Sequence, residues 1–97
     1  MSKAKPPLVH MNGTGKQRLI DVREKAWYSL SDAFAALRDI APNGRDYYPY
    51  GPGELEKAID ANMDRMRLIQ SVIDELAEEM VAISDQYPPR PANPKDA

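Results

Sequence analysis

Cysteine is absent from all 97 residues, so neither a disulfide nor a thiolate metal site is available to this chain. That absence fits a reducing compartment. Histidine occurs once, which leaves little for general acid–base chemistry. No nucleophile–base pair is apparent either. The Glu-x-x-His motifs of a di-metal helical bundle are missing. No paired inward carboxylate motifs of a magnesium-dependent helical pyrophosphatase are apparent. The expectation is a protein that is not an enzyme and carries no metal and no cofactor.

Long apolar runs are also missing. None approaches the roughly 20 residues needed to span a bilayer. The opening Met1-Ser2-Lys3-Ala4-Lys5-Pro6-Pro7 is basic and lacks the apolar centre of a signal peptide. A soluble protein of the cytoplasm is expected, without a membrane partner. A strong basic excess is lacking too, since net charge is −2. Nucleic-acid binders usually show such an excess, so that class ranks low. The charge is nonetheless uneven, at +4 over residues 1–45 and −6 over residues 46–97. The first half suits anions and the second repels them.

What is present is helical periodicity. Leu8 and Val9 read as a short extended anchor after a disordered arm at residues 1–7. Asn12-Gly13 is a turn dipeptide. Thr14 with Gln17 three residues on matches a capping box, so a first helix should begin near Gly15. One of its stripes is Ile20, Trp27, Leu30, Phe34, Leu37 and Ala41, interrupted by Arg23. A neighbouring stripe is Leu19, Val22, Ala26, Ala33 and Ile40. Spacings of three and four put each stripe on one face. Pro42 stops the helix by about residue 41.

A second helix should start at Pro52, which suits a first turn. Its seam runs Met66, Ile69, Ile73, Leu76, Met80, Ile83 and Tyr87, with Ile59 and Asn62 behind it. Those alternating steps make a heptad seam. Leu68, Val72 and Ala77 widen it. Asn62 on the seam reads as a register device. Pro88-Pro89 ends the helix, and residues 88–97 read as a disordered proline-rich tail. The domain proper is residues 8–87.

The fold class expected is therefore all-α. Two helices form an antiparallel hairpin too lean to cover its own broad faces. The hairpin assembles into a four-helix bundle, as a dimer or higher oligomer.

Between the helices lies Pro42-Asn43-Gly44-Arg45-Asp46-Tyr47-Tyr48-Pro49-Tyr50, which holds three of the five tyrosines. It is longer than a bare helix connection of about 2–8 residues requires. Arg45 suits bidentate capture of an anion. Tyr47 and Tyr48 offer flat faces for a ring, or else plug the bundle end. Asp46 either joins the site or pairs with Arg45. At the other end of the first helix, His10, Asn12, Gly13, Thr14 and Lys16 offer backbone N–H groups, a hydroxyl and an ammonium to a phosphate. The two segments are a helix length apart within one chain. Only an antiparallel partner can bring them together.

His10-Met11-Asn12-Gly13-Thr14 and Pro42-Asn43-Gly44-Arg45-Asp46-Tyr47-Tyr48-Pro49, joined by helices, resemble a group of small phage and prophage proteins. The resemblance implies a small oligomeric accessory protein in the host cytoplasm. Some such proteins act as non-catalytic sponges that sequester a nucleotide-type immune signal. A protein-interaction or assembly module is the alternative.

Overall fold

The computed structural model describes residues 4–86. Tyr87 of the seam and the tail at residues 88–97 lie outside the described residues. Helix α1 spans Lys16–Asp39, the short α2 spans Gly44–Tyr47, and α3 spans Glu54–Ser84. A 3-10 turn at Tyr48–Tyr50 follows α2 directly. No strand and no helix apolar enough to cross a membrane occurs among the described residues.

Helices α1 and α3 pack antiparallel. Two contacts fix their register. Asn62 Nδ2 donates to the Leu37 carbonyl at 3.0 Å. Arg23 Nε donates to Glu79 Oε1 at 2.5 Å. Residue numbers that face each other thus sum to about 100. The molecule is a rod of 69 × 22 × 16 Å with a radius of gyration of 20.3 Å. A compact chain of this length would have about 12–13 Å.

The helix ends differ in detail from the capping patterns. Gly15 is the N-cap of α1, and no side chain caps it. Thr14 lies one residue before the cap and makes none, while the Gln17 side chain donates along the helix to Asp21 Oδ1 at 2.7 Å. Helix α3 begins at Glu54, two residues after Pro52. Gly53 sits at φ 89 in the left-handed region and reverses the chain just before the helix. Asn43, by contrast, caps α2 fully. Its Oδ1 accepts from the Asp46 N–H at 3.2 Å, and its Nδ2 donates to Asp46 Oδ2 at 3.1 Å. This reciprocal pair folds the middle of the connection into a helical turn.

Ile20, Arg23, Trp27, Leu30, Phe34 and Leu37 are all half-buried against α3. The interruption at Arg23 is resolved across the interface. Its guanidinium spans from Glu79 to the Leu19 carbonyl at 2.9 Å. On α3, Ile73 and Ile83 are buried and Asn62 is 3% exposed. Asn62 holds the end of α1. The Leu37 carbonyl is one of the last four, which lack an intrahelical donor. Val9, from before α1, is the third buried apolar residue among those described.

Apart from the half-buried Leu19, the second stripe of α1 is exposed. Ala26 and Ala33 are exposed, Val22 is 38% exposed and Ile40 60%. Leu68 and Val72 on α3 are 70% and 37% exposed. The hairpin covers one stripe of each helix and leaves the flanks open.

Replacing Asn62 with Ala leaves the Leu37 carbonyl without its donor. The expected loss is about 1–3 kcal/mol in urea unfolding. A loss within the error of the wild-type midpoint would show that the bond does not hold the helix end.

Candidate functional site

The expected site residues fall into two clusters at opposite ends of the rod. The first is built by the segment before α1. Gln86, just past α3, presents its side-chain amide as a substitute peptide group. Its Oε1 accepts from the Val9 N–H at 2.8 Å, and its Nε2 donates to the Pro7 carbonyl at 2.8 Å. The segment is thereby clamped in an extended form along the end of α3. Ala4 and Pro6 continue along the helix beside Glu75, Glu78, Glu79 and Ala82.

The chain then reverses over Met11 and Asn12, with the Gly13 N–H donating to the His10 carbonyl at 3.3 Å. The His10 ring lies directly on Gly13. A Cβ at residue 13 would stand 2.5 Å from His10 Nε2. His10 Nδ1 is buried and has no hydrogen-bond partner among the described residues. Asn12 and Thr14 are exposed. Lys16 Nζ donates to the Gln86 carbonyl at 3.1 Å, so its charge sits at the negative end of α3.

The second cluster is the turn. Arg45 is exposed and makes no hydrogen bond or ion pair among the described residues. Asp46 is held by Asn43 and does not pair with Arg45. Tyr48 is 77% exposed, with its ring in water. Tyr47 is half-buried, and its ring centroid lies 6.1 Å from that of Tyr50. It forms a wall of an open cleft of about 500 Å³, together with Ile40, Pro42, Ala58, Lys57 and Arg65.

That cleft combines an aromatic wall with two cations and one carboxylate, that of Glu54. Lys57 also pairs with Glu54 at 3.0 Å, with both side chains well exposed. Arg65 makes only a long contact of 3.5 Å to Asn62 Oδ1. The volume falls in the usual range for small-ligand sites, about 300–1,000 Å³. Sequence reasoning missed Lys57 and Arg65, which lie on the acidic second helix. A spacing of four from Lys57 to Ala61 and again to Arg65 was the available signal. Gln86 had no sequence signal, since its partners are backbone atoms about eighty positions away. Among the described residues, no group of three or more His, Asp or Glu is placed to hold a metal ion.

Within one chain the two clusters stay apart, separated by the whole of α1. Its 24 residues span about 36 Å at 1.5 Å each. Comparison with protein-family models, with curated proteins and with solved structures finds no match to this chain.

The clamp is testable alone. Gln86→Ala removes two hydrogen bonds to the segment, about 2 kcal/mol in all. Amide exchange at Val9 should then quicken roughly thirtyfold, with the middle of α3 unchanged. Unchanged protection at Val9 would mean that apolar packing alone holds the segment.

Proposed function

We propose that this protein binds a small phosphorylated ligand without transforming it, and that it works as a homo-oligomer. The observation that carries this reading is the cleft at the turn. Tyr47 supplies a flat face, Lys57 and Arg65 supply positive charge, and Arg45 stands close in sequence with its guanidinium exposed. A flat aromatic wall beside cations matches a ligand that is planar at one end and anionic at the other. A nucleotide-type signal has that form. Capture of such a signal needs binding energy only. This agrees with the sequestering role implied by the resemblance to small phage proteins.

His10, Asn12, Gly13, Thr14 and Lys16 belong to the same reading only through assembly. An antiparallel partner would set its own His10-to-Lys16 segment against this cleft, adding backbone N–H donors to the cations. The interaction-module reading draws on one observation of its own. Tyr48 and Tyr50 are 77% and 72% exposed at the tip of the rod, and tyrosine is favoured at protein contacts.

A thermal-shift screen with mononucleotides and cyclic dinucleotides tests the first reading. A ligand present at 100 times its Kd stabilises by about 2.7 kcal/mol and raises Tm accordingly. Arg65→Ala and Arg45→Ala should each weaken the hit about tenfold, or roughly 1.4 kcal/mol. If no nucleotide raises Tm, or if both variants bind as wild type does, the cleft is not the site.

A further inference from the structure

The two open stripes lie on the same flank of the hairpin. Ile40 of α1 lines one cleft with Ala58, Ala61 and Arg65 of α3. Phe34 lines a different one, on the opposite flank, with Met63, Met66 and Gln70. Helical spacing extends the first flank to Leu19, Val22, Ala26 and Ala33 on α1. On α3 it extends to Leu68 and Val72. The register puts Ala33 level with Leu68, because facing numbers sum to about 100.

We propose that a second copy of this chain covers this flank, related by a two-fold axis that crosses the helices between Ser29 and Leu30 of α1 and near Gln70 of α3. The numbers close on one axis. Antiparallel stacking of α1 on its copy about that point pairs Ala26 with the partner's Ala33, Val22 with the partner's Leu37, and Leu19 with the partner's Ile40. The same axis stacks α3 on its copy, pairing Leu68 with the partner's Val72. The α1 centre is small, at Ala26, Ser29 and Ala33, which permits close helix approach.

Area suffices as well. A face 22 Å wide and about 36 Å long offers about 800 Å² per chain, the standard amount for a specific interface.

This dimer deepens the ligand reading, because it brings Lys16 of one chain level with the partner's Asn43. It stands on the helix surfaces alone, however. Its test uses the full chain without any ligand, so it can fail while the thermal-shift result stands, and the reverse. Sedimentation equilibrium at micromolar to high-micromolar concentration should give twice the chain mass for wild type. Leu68→Asp should halve that mass while circular dichroism stays helical, because Leu68 is 70% exposed in the single chain. Val81→Asp, 59% exposed and on the opposite flank, should remain dimeric. The proposal is overturned if wild type sediments as a monomer throughout. It is equally overturned if Val81→Asp dissociates the assembly and Leu68→Asp does not.

Discussion

Burial of apolar surface is the scarce quantity in this chain, and the architecture follows from where it is found. Val9, Ile73 and Ile83 are the apolar side chains that the described residues hide from water. All three lie toward one end, where the segment before α1 folds over the last turns of α3. Each such side chain contributes about 1.5–3 kcal/mol. The order of some eighty residues costs far more conformational entropy than three side chains can offset. The half-covered stripes between α1 and α3 add to the gain, and directed bonds add more. Arg23 to Glu79, Asn62 to Leu37 and Gln86 to Pro7 and Val9 pin the hairpin at its upper part, its turn end and its open end. The remaining apolar stripe faces water and gains only if another surface covers it.

This shortage also bears on the proposed function. The candidate binding residues lie at both tips of the rod, and the rod is too stiff to bend them together. A single hairpin would present one half of each of the two proposed sites. The cleft of Tyr47, Lys57 and Arg65 lies on the same flank as the open stripe. Covering one would therefore close the other. Under the proposed function, assembly and ligand capture would be one event, with the partner's N-terminal segment supplying the missing wall.

Much of this was legible in the residues. Two helices, their approximate bounds and the α3-facing stripe follow from spacing, because side chains three and four apart must share a face. The exposed second stripe followed for the same reason. The connection was less legible. Its tyrosines and Pro42 suggested a loop, yet Asn43 and Asp46 wind it into α2 by a reciprocal cap of the Ser-x-x-Glu kind written with different residues. Thr14 carried a capping pattern that is not used, because the helix begins one residue later with Gly15 at the cap. Long-range partnerships left no local trace. Gln86 reads as an ordinary polar residue near a helix end until the backbone of Pro7 and Val9 is seen beside it. Arg65 sits in an acidic helix whose average charge hid the two cations that line the cleft.

If each hairpin depends on a second one for cover, its stability must depend on how much protein is present. The direct measurement is the urea midpoint followed by helical circular dichroism, with chain concentration varied over two orders of magnitude. The account predicts a midpoint that climbs steadily with concentration, as coupled folding and association require. A sharp, fully helical transition at the same midpoint across that whole range would contradict it, since the lone chain would then be sufficient unto itself.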